Sequence, residues 1–596
     1  MKPARDDPAS WIARAIIVIV APEIRTRVQI DRERWLACDD PVLVLRADSP
    51  DAVRRTLVDV EHLTRDRALH AVGFLTFEAS AAFGLPVGDR DPRLPYAWFA
   101  LFESRTVREV GAPERVGNYE LGPLTPSVDM AAFERAFARI KAHLAAGDSY
   151  QVNFTLQLQA RFDGDAEALF ADLTRAQRAN YGAFIDLGDV AIASASPELF
   201  FAFEGLDIVT RPMKGTARRG MTVEDDRAAA AALAASPKER AENVMVVDML
   251  RNDLGRVADV GSVTVPELFR VERYPNVWQM TSEVRARSMA PLEEVCAALF
   301  PSASITGAPK IRTMEILREL EGRPRGIYTG AIGYVPPDGL ARFNVAIRTA
   351  VIDRARGELS YGVGSGVVWD SDAASEYAEC LLKGSVLTSR REPFSLLETL
   401  RWTPEDGCVL LDRHIARLEA TADYFDVPLD LAAVKREFEA LSGGAPGLRV
   451  RLLVAQDGAV SLEQFPFVAV EGPLRVCLAR TPVDAADPFL YHKTTRRAVY
   501  DQARGDAPGF DEVVLWNANG EVTEATTANV VVELNGVRVT PPVASGLLAG
   551  TYRAELLARG EVVERRITVD ELSTASGLWL INSVQGMRVA ELIPRA

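Results

Sequence analysis

Apolar residues recur in two rhythms along the 596-residue chain. Phe133, Phe137, Ile140 and Leu144 fall at helical spacing and Gly147 follows as a stop, which predicts an amphipathic helix. The period then changes to two. Tyr150, Val152, Phe154, Leu156 and Leu158 take one face, and Gln151, Asn153, Thr155, Gln157 and Gln159 the other. That alternation predicts a strand in a half-polar sheet. The alanine-rich stretch 228–235 reads as helix, because alanine has the highest helix propensity. No internal repeat or low-complexity block stands out. The stretch to about residue 120 has no strong motif of its own, and the pattern changes near Ser389-Arg390-Arg391-Glu392-Pro393. The apolar run 15–21 is too short to span a bilayer, and the charge and proline directly after it argue against a signal peptide.

Length alone predicts about two to four domains. Composition is that of a soluble globular protein, 48% hydrophobic and 25% charged. A net charge of -15 argues against nucleic-acid and anionic-membrane partners. It leaves small anions open, since local arginines or a metal override the global field. Cys38, Cys296, Cys380, Cys408 and Cys477 are scattered without Cys-x-x-Cys spacing, which predicts no disulfide framework or zinc site and fits a reducing cytoplasm.

Two Glu-x-x-Glu pairs carry candidate chemistry: Glu239 with Glu242, and Glu376 with Glu379. Residues three apart share a helix face, so each pair presents two carboxylates in one direction. Like charges at that spacing repel unless a cation compensates, and oxygen-only ligands suit magnesium. Ser236-Pro237-Lys238-Glu239 is also a capping box with proline at the first helical position, which gives Glu239 a purely structural reading beside the metal one.

In order along the chain come Ser196-Pro197-Glu198, Arg211-Pro212-Met213-Lys214-Gly215-Thr216, Lys238-Glu239-Arg240-Ala241-Glu242-Asn243 and Val247-Asp248-Met249-Leu250-Arg251-Asn252-Asp253-Leu254. Ser304-Ile305-Thr306-Gly307-Ala308-Pro309-Lys310, Ile347-Arg348-Thr349, Gly364-Ser365-Gly366 and Lys383 follow. Together these resemble the chorismate-utilising enzymes, which include anthranilate synthase and aminodeoxychorismate synthase. The resemblance implies an α/β sandwich, with residues 1–120 as its N-terminal sheet portion and 121–388 as the catalytic domain. It implies that Glu242 and Glu379 hold Mg2+ against the ring carboxylate, with Glu239 and Glu376 as outer partners. Arg348, Gly364, Ser365, Gly366, Thr306 and Lys383 would bind substrate, the glycines as a turn that cradles a carboxylate. Glu198 would be the general acid and Lys214 the nucleophile at C2. Lysine at the Lys214 position marks the aminodeoxychorismate branch, where anthranilate synthases typically carry alanine. One departure is Gln279 in Val277-Trp278-Gln279, where many members have a proton-donating histidine. The product is then expected to keep its enolpyruvyl group. No glutaminase cysteine elbow is present, so ammonia is expected from a separate glutamine amidotransferase subunit.

From Phe394 a second pattern runs: His414-Ile415-Ala416-Arg417-Leu418, His492-Lys493-Thr494-Thr495-Arg496, Glu521-Val522-Thr523-Glu524 and Gly550-Thr551-Tyr552-Arg553. It resembles the fold type IV pyridoxal-phosphate enzymes, a group that includes transaminases and aminodeoxychorismate lyase. The resemblance implies a two-subdomain domain over 394–596 after a linker at 389–393. Lys493 would attach pyridoxal 5'-phosphate covalently, Arg417, Thr551 and Tyr552 would bind its phosphate with Ser583 as a further contact, and Glu524 would face the pyridine nitrogen. Such enzymes are usually homodimers. His414 and His492 are expected to be structural.

The combined expectation is a cytoplasmic α/β and α+β multidomain enzyme that makes 4-aminobenzoate from chorismate for folate-type synthesis. The rivals are an anthranilate or isochorismate synthase joined to a transaminase, and a degenerate chorismate-binding module.

Overall fold

A computed structural model describes residues 24–388, 393–442 and 447–594. The apolar run 15–21 and linker residues 389–392 lie outside the described residues. The chain divides into two compact units. The first holds 24–218 and 232–388, and the second holds Arg219–Ala231 with the C-terminal part from 393.

The first unit has two large sheets, and every strand pairing described in them is antiparallel. Strand Ala97–Glu103 shows how they are layered. Phe99 and Leu101 pack with Val53, Leu57, Val60 and Leu250 of the helices, while Trp98, Ala100 and Phe102 pack with Ala183, Ile185 and Ile192 of the other sheet. The other sheet alternates in the same way, sending Phe184 toward Leu169, Phe170 and Leu173 of a helix on its far side. Period-two alternation with apolar residues on both faces therefore builds a helix–sheet–sheet–helix sandwich.

Helix Met130–Ala145 forms as predicted, capped by Asp129 on the Ala132 N–H, with Phe133, Phe137 and Ile140 buried and Gly147 at φ 76°. The strand that follows runs Gln151–Gly164. Tyr150 lies in the bend before it and is 71% exposed, not on the buried face as expected, although its N–H still bonds the Ala308 carbonyl. The polar face is occupied: Asn153 donates to Ser304 O, Thr155 to Glu321 and Gln157 to Pro324 O. The alanine-rich stretch lies in helix Val223–Ala235.

The second unit has a four-stranded and an eight-stranded sheet among its described residues. Helices Leu411–Phe425 and Leu431–Glu439 bury Leu418, Ala422, Val434 and Phe438 with Leu396, Leu400, Val450 and Leu452 of the smaller sheet. The larger sheet mixes parallel and antiparallel pairs. Lys493 sits in the segment that joins this sheet's surroundings to strand Leu396–Thr403, its carbonyl accepting from Leu397 N at 3.0 Å.

Candidate active sites

Lys214 lies on strand Met213–Arg218, which pairs with Val277–Arg287 through a break in register between Met213 and Thr216. Gly215 takes φ 104° there, a conformation that strains residues with a Cβ. Two braces hold the irregular segment. Asn243 Nδ2 donates to Lys214 O at 3.0 Å, itself fixed by Ser282 Oγ at 2.6 Å. Gln279 Nε2 donates to Gly215 O at 2.8 Å, while its Oε1 accepts from Thr216 Oγ1 at 2.9 Å. Gln279 is thus a two-handed support for the loop that carries the lysine.

Lys214 Nζ stands 3.3 Å from Glu242. On the facing helix Ala373–Gly384, Lys383 Nζ pairs with Glu379 at 2.7 Å and donates to Gly364 O at 2.8 Å. Arg348, at φ 52°, donates to Lys383 O at 2.9 Å. Burial works against the charge on Glu379, but Lys383, Lys214 and Arg348 outweigh it and hold the carboxyl below its ordinary range. Glu242 and Glu379 therefore share the field of one lysine. Burial first, and then the Glu242 charge, push Glu239 up; Ser236 caps its N–H and Thr216 donates to its carboxylate. Glu376 accepts from Ser371 at 2.7 Å.

Among the described residues no group of three or more His, Cys, Asp or Glu is gathered for a metal. The outer glutamates are turned to Thr216 and Ser371 instead. Two carboxylates facing one lysine still fit magnesium, which accepts one or two carboxylates and fills its remaining positions with water and substrate oxygen.

Glu198 is 3% exposed and accepts from Ser304 Oγ at 2.6 Å. Burial raises its pKa to about 7, against the opposing pull of Ser304, the Met213 N–H and Lys214. Gly364, Ser365 and Gly366 do not form the expected turn. They lie inside strand Glu358–Val367, opposite Thr155, Phe154 and Asn153. The glycines provide clearance: a Cβ on Gly366 would come within 2.8 Å of Lys214 Nζ, Asn153 Oδ1 and Gln151 Nε2. Thr306 is buried, but its hydroxyl donates to Ser302 O and Ala303 O, so it shapes the turn carrying Ser304. Sequence reasoning has Ser304, Asn243 and Gln151 inside its motifs but gives none of them a role. Gln151 is 1% exposed with Oε1 unpaired, and a buried polar residue in a strand was the available signal.

In the second unit Lys493 is half-buried, and desolvation of its amine, then Arg417 and Arg497, lower its pKa to about 8. Arg417 makes a two-point pair with Glu398, at 2.9 and 2.6 Å, and donates to Ala549 O at 3.2 Å. Glu398 is 2% exposed and also bonds His414 Nδ1 at 2.6 Å. Burial raises its pKa, but Arg417 and His414 win and bring it to about 2. His414 Nε2 in turn meets Thr551 Oγ1 at 3.2 Å, which ties Arg417, His414 and Thr551 to one carboxylate that sequence reasoning also missed.

Thr551 and Tyr552 open helix Thr551–Ala558 after the N-cap Gly550, so their free N–H groups suit a phosphate. Glu524 accepts from Tyr500 at 2.7 Å and from Leu548 N at 3.2 Å, and burial raises its pKa to about 7. Ser583 donates to Thr399 O at 3.3 Å. A desolvated amine in the field of Arg417 and of the buried carboxyl Glu524 fits pyridoxal phosphate. Among the described residues no helix is long and apolar enough to cross a membrane.

Comparison with known proteins agrees with this division of labour. Residues 395–593 match the class IV amino-transferase family, so a class IV aminotransferase domain occupies the C-terminal part. An aminodeoxychorismate synthase component 1 from Klebsiella aerogenes is 46% identical over 245 residues, covering 41% of this chain and 54% of that protein. An anthranilate synthase component 1 from Streptomyces coelicolor is 38% identical over 303 residues, covering 48% and 59%. The chain spans about half the length of these curated relatives. The crystal structure of anthranilate synthase component I from Streptococcus pneumoniae shares the fold, with a TM-score of 0.52, 24% identity and coverage of 64% of this chain and 97% of that one. Residues 25–389 match the chorismate binding enzyme family over more than half of the chain, and the chain belongs to that family.

Proposed function

We propose that the chain makes 4-aminobenzoate from chorismate in two steps, one in each unit. The observation that carries this reading is Lys214, set 3.3 Å from Glu242 and within the field of both Glu379 and the buried acid Glu198. A lysine in that position supplies an amine nucleophile where the anthranilate branch has none.

In the first step neutral Lys214 Nζ adds at C2, the ring double bonds shift, and the C4 hydroxyl leaves as water with the Glu198 proton. Ammonia adds at C4 and gives a proton back to Glu198. The double bonds return and Lys214 departs from C2 as a free amine. Glu242 and Glu379 would hold magnesium, which would anchor the ring carboxylate; Arg348 and Lys383 add positive charge for the same dianion. Relatives named component 1 support a separate second component as the source of ammonia.

In the second unit Lys493, Arg417 and the Thr551 and Tyr552 N–H groups would hold pyridoxal phosphate, with Glu524 toward the ring nitrogen. The cofactor, when bound, supplies an electron sink. Lys493 removes the C4 proton, the C3–O bond of the enolpyruvyl ether breaks, and the departing enolate takes up a proton to become pyruvate as the ring becomes aromatic. A pKa of about 8 suits a lysine to that base role near neutral pH.

The purified chain, supplied with chorismate, magnesium, ammonium and pyridoxal phosphate, is expected to yield 4-aminobenzoate by chromatography. Anthranilate would overturn the Lys214 assignment. A non-aromatic amino product would leave the first step standing and remove the second.

Glu198 gives a pH prediction. It acts as an acid only while protonated, so amination should decline as pH rises through about 7. Glu198→Gln should lower amination about 10²–10⁴-fold, the range for general acid catalysis. An unchanged rate in that variant would assign the proton elsewhere.

A further inference from the structure

The second compact unit is not built from the C-terminal chain alone. It includes Arg219–Ala231, the segment that directly follows strand Met213–Arg218. Connections normally run over the surface with their charges in water. Here the charges are buried: Arg219 and Asp226 are 7% and 2% exposed and pair at 2.6 Å. Burying such a pair is costly unless hydrogen bonds satisfy its remaining donors and acceptors. Gly220 N also donates to Asp226, at 3.0 Å, and Arg219 Nη2 donates to Tyr424 O at 2.9 Å. The guanidinium lies 4.4 Å from the Tyr424 ring, and Tyr424 OH donates to Gly220 O at 2.9 Å.

Tyr424 passes this order on to the residue before the cofactor lysine. Its ring stacks on His492 at 4.0 Å, and Phe425 meets the same imidazole edge-on at 5.2 Å. His492 Nε2 donates to Met221 O at 3.0 Å, which closes a loop of contacts from the segment to Tyr424, to His492 and back. Burial holds His492 down at about 4, so the ring is neutral and the donor role needs no charge. On the other side, Lys493 O accepts from Leu397 N at 3.0 Å, and Thr494 bridges to Leu396. The Lys493 carbonyl and the side chain of the residue before it are therefore both held, and the grip on His492 belongs to a segment some 270 residues away.

We propose that Arg219–Ala231 is a positioning element of the second site, holding His492 and through it Lys493 in the place where the cofactor is bound. This rests on the reading of Lys493 as the cofactor lysine. A lysine that must meet a fixed carbonyl carbon tolerates errors of about 0.5 Å. Loosening the clamp should therefore weaken cofactor capture before it unfolds the unit.

The test uses the full chain loaded with pyridoxal phosphate. Tyr424→Phe keeps the ring stack and removes only the hydroxyl bond to Gly220. It should raise the cofactor Kd roughly fivefold, the value of one hydrogen bond, and shift the pH midpoint of the lysine-bound cofactor absorbance. Arg219→Gln, which removes the buried charge that pairs with Asp226, should raise Kd at least about tenfold. Amination of chorismate should stay at the wild-type rate in both. If Arg219→Gln fails to fold, Tyr424→Phe carries the test. A folded Tyr424→Phe variant with wild-type Kd and midpoint overturns the proposal. Parallel loss of amination also overturns it, because the segment would then serve general folding. Lys493→Ala separates the two readings: if the lysine-bound absorbance survives in it, the cofactor-lysine assignment fails; if it vanishes there while Tyr424→Phe is unaffected, only the positioning role fails.

Discussion

Lys214→Ala should abolish the 4-aminated product, by on the order of 10³-fold or more, as removal of a covalent nucleophile does. The same variant should gain a different product. Lys214 Nζ borders the volume that a Cβ on Gly366 would fill, beside Gln151 and Asn153, and 3.3 Å from Glu242. Truncation to alanine empties that volume. Glu198 and its Ser304 hydrogen bond are untouched, so the C4 hydroxyl can still leave protonated. Ammonia then has room to meet C2 directly and should give an amine at C2. Lys214→Arg is the control, since it fills the space with a cation that stays protonated and should give neither amine. Chromatography of products from chorismate, magnesium and ammonium decides the matter. A 4-aminated product at the wild-type rate from Lys214→Ala would show that the lysine is a bystander.

Local pattern made the helix at Met130–Ala145 and the strand after it readable, because both depend on periodicity within a few residues. It failed where a residue's partner is distant. Gly364-Ser365-Gly366 reads as a turn in isolation; only its pairing with Phe154 and Thr155, more than two hundred residues earlier, makes it a strand whose glycines clear space for a lysine. Gln279 was visible as an absent histidine, but its hold on Gly215 and Thr216 comes from strand register. Glu398 left a faint trace, a carboxylate among Leu396, Leu397 and Leu400. Its meaning depends on Arg417 and His414 arriving from the next helix. Helix propensity found 228–235, the later part of helix Val223–Ala235, but is silent on what the segment before it packs against, and there Met221 supplies the clamp on His492.

Lys493→Met should stop 4-aminobenzoate formation, by on the order of 10⁴-fold or more, because one side chain is both the covalent anchor and the base. The aminated precursor should accumulate, since Lys214 and Glu198 are unaffected. Stability should move the other way. Burial brings the Lys493 pKa in the fold from 10.5 to about 8. Between those values the unfolded chain binds more protons than the folded one, so the stability of the cofactor-free protein rises with pH across that window. Below pH 8 the lysine is charged in both states and the full burial penalty is felt. Methionine has similar length and no charge to bury, so the variant should melt no lower than wild type at pH 7. It should also lose the Lys493 share of the rise in Tm between pH 8 and 10.5. The comparison is a pair of calorimetric pH series on cofactor-free protein. A variant that melts well below wild type at neutral pH, with the same pH slope, would place the lysine in a solvated setting and remove the physical basis for its role as a base.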